Sequence, residues 1–227
     1  MPHKRKDLNI RGSNLWYIVG LITTDGCLVS DGRHIDITSK NYDFISNVRD
    51  VLGLTSKIGV KNRGKTNEAY CINFSNKNFY EFLLSIGLTP CKSLTQDEVI
   101  VPDEFFNDFL RGVIDGDGCI RKWIHPTNGG EQWSLRIYSP SLAFLDWTRR
   151  EIGYFFKTKG RIHKDVKKRP LVDMFILTYG KMAAKVIFGK CYYKNALSLE
   201  RKANLAQECC LSFAGWKQSK TVSPQYV

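Results

Sequence analysis

Two aspartates stand at equivalent positions in two similar segments of the chain. IVGLITTDGCL and LRGVIDGDGCI align at an offset of 92 residues, which places Asp25 opposite Asp117. Each segment has the apolar spacing of a helix that ends at its aspartate. An acid there opposes the helix dipole by about 0.3–1 kcal/mol, and a second carboxylate nearby adds repulsion. Stability does not explain this arrangement. Divalent cations do, because hard Mg²⁺ favours carboxylate and carbonyl oxygens.

Small residues on both segments predict that the two helices pack closely together. Gly20 and Thr24 are four residues apart on one helical face, and Gly112 and Gly116 are spaced in the same way. Such packing puts the two acidic ends side by side. The glycine after each aspartate is predicted to form a left-handed C-terminal cap. Two cations held at such ends can activate a water and stabilise the leaving oxygen of a phosphodiester.

The repeat covers most of the chain. At an offset of 100 residues, Ile37, Ser39, Phe44, Arg49 and Gly53 fall on Ile137, Ser139, Phe144, Arg149 and Gly153. The second half has therefore gained eight residues, within KWIHPTNGGEQW, and Lys92 later aligns with Lys194 at an offset of 102. We expect a basic N-terminal arm at 1–11, a first half at 12–98, a linker at 99–103, a second half at 104–210 and a tail at 211–227.

Each half is predicted to have the order αββαββα. A helix at 14–24 precedes a hairpin in GCLVSDGRHIDIT, where the DG step marks the turn. NYDFISNVRDVL has helical spacing and ends at Gly53. KIGVKNRGKTNEAYCINFS indicates a second hairpin with NRGKTN at its tip, and NKNFYEFLLSIGL a closing helix. The fold is expected to be mixed α/β, with the domain present twice.

The charge of the chain predicts a polyanionic partner. Its 227 residues carry a net charge of +12, and nucleic acid is the leading candidate. No apolar run approaches the roughly 18–20 residues of a membrane-spanning helix, and the basic N-terminus lacks the apolar core of a signal peptide. Seven cysteines without a CxxC pair fit free thiols in a reducing compartment. We expect an intracellular protein without structural zinc.

VGLITTDG and RGVIDGDG resemble the two motifs of single-chain LAGLIDADG homing endonucleases. The resemblance implies that Asp25 and Asp117 bind metal ions, joined by the carbonyls of Thr24 and Gly116. It implies two or three Mg²⁺ ions, with Mn²⁺ as a substitute and Ca²⁺ supporting binding without cleavage. The family commonly has an aspartate at the position of Asp115, and the first motif departs from this pattern with Thr23. The resemblance implies that this position supports the motif rather than cuts.

The resemblance also implies that both sheets form a saddle in the DNA major groove. Basic segments at 57–65 and 157–169 occupy equivalent hairpins, although solvated hairpin tips are the alternative for these lysines and arginines. The predicted DNA contacts are Lys40, Lys57, Lys61, Arg63, Lys65, Arg121, Lys122, Arg136, Lys159, Arg161, His163, Lys167, Lys168 and Arg169.

Three further residues are candidates to assist catalysis. Lysines near each scissile phosphate are common in the family, and Lys92 and Lys194 are candidates because they align in the repeat; the alternative is a solvent-facing lysine. Ser39 matches a polar position that orients water in the family. Pro140 stands opposite Lys40, so the two halves of the site are not equivalent.

The resemblance implies a monomeric, site-specific endonuclease. It would cut a long, non-palindromic duplex in both strands, leave short 3′ overhangs and serve intron homing. The chain ends show no splicing residues, which predicts a freestanding or intron-encoded protein. The alternative is an RNA maturase or DNA-binding regulator that kept the fold and lost cleavage. The presence of both aspartates favours the enzyme.

Overall fold

The computed structural model describes residues 8, 10–62, 68–90, 95–165 and 172–213. The first half has the predicted order αββαββα. Its elements are α1 (Gly12–Asp25), β1 (Gly26–Leu28), β2 (His34–Ser39), α2 (Tyr42–Val51), β3 (Gly59–Asn62), β4 (Glu68–Ser75) and α3 (Lys77–Ser85).

The second half repeats this order and adds one helix. A 3-10 helix at Asp103–Phe105 leads into it. Its elements are α4 (Phe106–Asp117), β5 (Gly118–Ile124), β6 (Glu131–Ser139), α5 (Leu142–Phe156), β7 (Arg161–Lys164), β8 (Phe175–Gly180), α6 (Lys181–Cys191) and the additional α7 (Glu200–Leu211). Within the described part of the chain, no helix has the length and apolar character needed to cross a membrane.

Each half contains one four-stranded antiparallel sheet. The strand orders are β1-β2-β4-β3 and β5-β6-β8-β7. Gly26 pairs with Ile37 in the first sheet, and Gly118 pairs with Ile137 at the same point of the second. The sheets are therefore equivalent in register as well as in strand order, which confirms the mixed α/β fold with a repeated domain.

Alternation along the central strands separates a core face from an outer face. Ile37 of β2 and Ile137 of β6 are fully buried. Their neighbours Asp36 and Arg136 are only partly buried, on the opposite side of each sheet. The helices cover the core faces, so the outer faces remain available to a ligand.

The contact between α1 and α4 leaves no room for a side chain at its two central glycines. A Cβ on Gly20 would lie 2.0 Å from the carbonyl oxygen of Phe109, and one on Gly112 would lie 2.2 Å from that of Tyr17. One turn later, a Cβ on Gly116 would lie 1.9 Å from Oγ1 of Thr24. The close helix packing predicted from these small residues is confirmed.

The prediction of left-handed caps after the aspartates is wrong. Gly26 has φ −93° and ψ 159°, and Gly118 has φ −79° and ψ 146°, which is extended backbone open to any residue. In each half, the chain passes directly from the motif helix into the first strand of the sheet. Lack of space explains the glycine instead, because a Cβ would lie 2.6 Å from Cα of Ile22 at Gly26 and 2.4 Å from the carbonyl oxygen of Ile114 at Gly118.

The helix contact predicts a large difference between two Gly→Ala substitutions. Gly112→Ala should destabilise the protein by about 2–3 kcal/mol, because the methyl group forces the backbones of α1 and α4 apart. Gly189→Ala is the matched control. Gly189 is also helical, and nothing lies within 4 Å of the place where its methyl group would stand, so we expect a gain of about 0.4–1 kcal/mol. Urea denaturation measures both; equal effects would contradict the close contact.

Candidate metal and nucleic-acid site

An open cleft of about 900 Å³ lies where α1 and α4 end. Asp25 and Gly116 line it from the two helix ends, Ser39 and Lys40 from the end of β2, and Lys61 from β3. The full lining is Thr24, Asp25, Gly26, Cys27, Asp36, Thr38, Ser39, Lys40, Asn41, Lys61, Glu68, Ala69, Asp115, Gly116, Leu199, Arg201 and Lys202. Carboxylates and cations thus share one concave surface.

The packing of α1 on α4 brings the two acidic ends together. Asp25 is the last residue of α1 and Asp117 the last of α4, and both are exposed. The Asp25 carboxylate lies against the end of α4, since a Cβ on Gly116 would be 3.5 Å from Oδ2 of Asp25. Oγ1 of Thr24 bonds back into its own helix, 3.1 Å from the carbonyl oxygen of Leu21.

The donors at these ends suit a hard divalent cation. They are carboxylate and backbone carbonyl oxygens, which Mg²⁺ prefers while it keeps several waters. In the described parts of the chain, no group of three or more His, Cys, Asp or Glu side chains is gathered as for a metal ion. The candidate metal ligands are therefore the two motif aspartates and the carbonyls of Thr24 and Gly116.

The outer face of the first sheet carries an ion pair beside the cleft. Nζ of Lys61 lies 2.6 Å from Oδ1 of Asp36 and 3.0 Å from Oγ1 of Thr38. Ser39 ends β2, and its Oγ accepts a 3.3 Å hydrogen bond from the backbone N–H of Asn41. Of the predicted residues, Ser39, Lys40 and Lys61 therefore lie with Asp25 in one cleft.

The outer face of the second sheet is basic at the equivalent place. Arg136 of β6 pairs with Thr178 of β8, which pairs in turn with Arg161 of β7, so these three side chains share one row. His163 lies two residues further on the same side of β7, and Arg121 projects from β5 with its guanidinium 6.0 Å from the ring of Trp123. The two outer faces thus have the same fold and different charge.

The other predicted contacts have varied positions. Lys57 and Lys159 are exposed in the turns before β3 and β7. Lys122 lies 3.1 Å from Glu208 and 3.4 Å from Glu131. Exposed Lys194 follows α6 and lines a separate cavity between α6 and α7, so its catalytic role stays a prediction. Six predicted residues lie outside the described part of the chain: Arg63, Lys65, Lys92, Lys167, Lys168 and Arg169.

Comparison with known proteins identifies the fold, and a family model matches the first half of the chain. Residues 13–87 match the family model described as a LAGLIDADG-like domain. The homing endonuclease I-WcaI bound to its DNA recognition sequence is similar over 91% of this chain and 94% of its own, with a TM-score of 0.64 and 12% identity. I-DmoI in complex with DNA and Ca is similar over 86% and 97%, with a TM-score of 0.54 and 17% identity.

Residues 13–87 thus form a LAGLIDADG-like domain, and the fold of the whole chain is similar to that of LAGLIDADG homing endonucleases. Its fold is also that of full-length DUF199/WhiA from Thermatoga maritima, with a TM-score of 0.54 and 16% identity over 90% of this chain. This chain spans 63% of the length of that protein. A comparison with curated protein sequences gave no match.

Asp115 of the second LAGLIDADG motif joins four parts of the structure. It is 3% exposed, and its carboxylate accepts hydrogen bonds from the Tyr17 hydroxyl at 2.8 Å, the Tyr192 hydroxyl at 2.7 Å and the Leu199 N–H at 2.7 Å. Burial raises the pKa of Asp115, and these bonds and the charge of Lys202 oppose the rise. In the first motif, Thr23 bonds within its own helix, to the carbonyl of Val19 at 2.8 Å.

Sequence reasoning missed two buried cations beside the second motif. Arg111 is fully buried, forms a 2.8 Å ion pair with Asp108, and donates to the carbonyls of Cys191 and Leu197. The Asp–x–x–Arg spacing within α4 was an available signal for this pair. Lys202 of α7 is 4% exposed and bonds to the end of α4. Its partners are backbone carbonyls, which leave no pattern in a sequence.

The Asp115 contacts predict that one hydroxyl group contributes strongly to stability. Tyr17→Phe removes a donor to a buried carboxylate and should cost about 1–3 kcal/mol in the free energy of unfolding. Tyr154→Phe is the control, because Tyr154 is 61% exposed on α5; we expect a change within about 0.5 kcal/mol. Chemical denaturation measures both, and equally small effects would show that the Tyr17–Asp115 bond contributes little.

Proposed function

We propose that this protein is a site-specific DNA endonuclease that uses Mg²⁺ to hydrolyse both strands of a long, non-palindromic duplex. One observation carries the proposal: two exposed aspartates end two helices in close contact, flanked by the basic outer face of the second sheet and by a cleft lined with Lys40, Lys61 and Arg201. Asp25 and Asp117 come from one chain, so a monomer suffices. We propose short 3′ overhangs and a role in intron homing, inside the cell, by analogy with the family.

Asp25 and Asp117 would hold the cations, with the carbonyls of Thr24 and Gly116 beside them. The bound cations would supply activation of water and stabilisation of the leaving oxygen, while Mn²⁺ would substitute and Ca²⁺ would support binding alone. Similarity to the I-DmoI complex with DNA and Ca supports a divalent cation. Because both acids are exposed, they can reach phosphates without rearrangement of the core.

The chain's own cations would bind and orient the DNA backbone at the cleft. Lys40, Lys61 and Arg201 line it, so a phosphate entering near Asp25 meets positive charge. Lys61 already neutralises Asp36, which keeps that carboxylate from repelling the phosphate. Ser39 is within the same lining and could orient a water by its hydroxyl group.

The two outer faces support an asymmetric target. Asp36 stands in the first sheet where Arg136 stands in the second. A carboxylate accepts hydrogen bonds from the amino group of cytosine, whereas an arginine donates to guanine. Equivalent positions in the two halves would therefore favour different bases, which is incompatible with a perfect palindrome.

A cleavage assay tests the proposal directly. The substrate is a plasmid that carries the joined flanks of the gene's own insertion site, incubated with Mg²⁺ and, in parallel, with EDTA. We expect a linear product only with Mg²⁺. DNA binding without cutting under either condition would defeat the nuclease proposal.

Substitution of either motif aspartate should separate cleavage from binding. Asp25→Asn and Asp117→Asn should each abolish double-strand cleavage, because a neutral amide no longer holds the cation. DNA affinity measured in Ca²⁺ should stay within about tenfold, or about 1.4 kcal/mol, because the outer faces supply most contacts. Asp50→Asn, an exposed acid on α2, is the control and should cleave normally. A collapse of affinity in either motif variant would contradict this division of roles.

Binding should weaken steeply with salt, because each neutralised phosphate releases counterions. If about six or more phosphates are contacted, affinity falls about 10³-fold between 50 and 200 mM salt. Arg161→Gln should lower the slope of log affinity against log salt by about one. Lys77→Gln, on α3 and paired with Glu81 at 3.5 Å, should leave it unchanged. Fluorescence anisotropy measures these slopes; a flat dependence would refute a basic DNA-binding surface.

A non-cleaving RNA maturase or DNA-binding regulator is the second candidate function. The similarity to DUF199/WhiA favours it, since that name does not describe a homing endonuclease. The cleavage assay distinguishes the two: this candidate predicts nucleic-acid binding that neither Mg²⁺ nor Mn²⁺ converts into cutting.

A further inference from the structure

Lys202 is a buried lysine in the lining of the candidate site. Its Nζ lies 2.8 Å from the carbonyl oxygen of Ile114, 2.6 Å from that of Asp115 and 3.0 Å from that of Gly116. A lysine ammonium has three N–H donors, and three acceptors use all of them. The geometry thus fits the charged form, and the positive charge rests on the last turn of α4.

The surroundings of Lys202 are strongly negative. The C-termini of α1 and α4 each carry about half a negative charge from the helix dipole. Asp25 and Asp117 add a carboxylate at each end, and Asp115 adds a buried one. Burial lowers the pKa of Lys202, and the carboxylates of Asp115, Asp25 and Asp117 oppose that lowering. Without a positive group, these charges would push the two helix ends apart.

The packing of α7 against α4 brings the positive charge of Lys202 to the helix ends. Leu199 occupies the N-cap of α7 without a side-chain cap, and Asp115 of α4 supplies the missing acceptor at 2.7 Å. The positive end of α7 therefore faces the negative end of α4, and Lys202 in its first turn reaches the carbonyls. This helix has no counterpart among the described elements of the first half.

We propose that Lys202 is a resident counter-cation of the LAGLIDADG site: a positioning residue whose ammonium holds the two acidic helix ends together before any metal ion binds. The proposal builds on the proposed function only in naming Asp25 and Asp117 as the metal-binding pair. Since the Gly116 carbonyl already accepts from Lys202, this charge also acts on the oxygen expected to bind the cation.

Thermal stability in EDTA tests the counter-cation without any nuclease assay. Lys202→Met should lower Tm by about 5–10 °C, because three charge-assisted bonds are lost and the acids repel. In an Asp25→Asn/Asp117→Asn background the same change should cost less than half as much. Lys202→Arg keeps the charge and should recover at least half of the loss.

A matched lysine separates the counter-cation from an ordinary lysine–carbonyl bond. Lys181 donates to the carbonyl of Glu131 at 2.9 Å, and Lys181→Met should cost the same in both backgrounds. An equal loss for Lys202→Met in both backgrounds would overturn the proposal, because Lys202 would then only fill a helix end. If Lys202→Met fails to fold, the comparison of Lys202→Gln in the two backgrounds gives the same test, because glutamine is also neutral and can still donate to a carbonyl.

Metal ions provide a second readout. Millimolar Ca²⁺ should raise the Tm of Lys202→Met more than that of the wild type, because the cation takes over part of the missing charge. Equal Ca²⁺ shifts would count against the proposal. Wild-type protein that never cuts DNA would defeat the nuclease proposal and leave the stability comparison in EDTA unaffected, so the two failures are distinguishable.

Discussion

The close contact between α1 and α4 fixes the geometry of everything around it. Backbone atoms occupy the space that side chains would fill at Gly20 and Gly112, so the helices have one possible separation and crossing point. Each helix passes without a loop into the first strand of its sheet. The contact therefore sets the position of both acidic ends and of both outer faces in a single step.

This arrangement concentrates negative charge at the helix ends, where the second half places the buried cation Lys202, while the buried Arg111 pairs with Asp108 further along α4. Arg111 of α4 and Lys202 of α7 both lie between α4 and the segment that runs from Cys191 into α7. Their donors meet backbone carbonyls, and the Asp115 carboxylate meets donors from the same segment. Three charged side chains, those of Arg111, Asp115 and Lys202, thus connect α4 to this segment. Buried charges that are paired and hydrogen-bonded cost less than isolated ones, and removal of one partner is strongly destabilising.

Much of the fold was predictable because the sequence contains the domain twice. The alignment of Asp25 with Asp117 predicted both motif helices. The later offset of 100 residues aligned Ile37 with Ile137, and these residues pair with Gly26 and Gly118 at the same point of the two sheets. The caps were wrong because glycine serves two purposes, positive φ and close approach, and the sequence does not separate them. Lys202 was missed because carbonyls are present at every position, so only the three-dimensional structure shows which ones it reaches.

The repeat also explains why the site residues were harder to predict than the elements. Repetition reports what the halves share, which is backbone packing, whereas recognition depends on how they differ. Asp36 and Arg136 occupy the same strand position with opposite charge. In the first sheet Lys61 forms an ion pair with Asp36, whereas in the second sheet Arg161 adds a further positive charge to the row of Arg136. Under the proposed function, a symmetric backbone with unequal outer faces would hold a duplex centrally while each half contacts different bases. Divergence of the outer faces is tolerated because those side chains lie away from the core, and the α1–α4 contact keeps both halves aligned with the one candidate site.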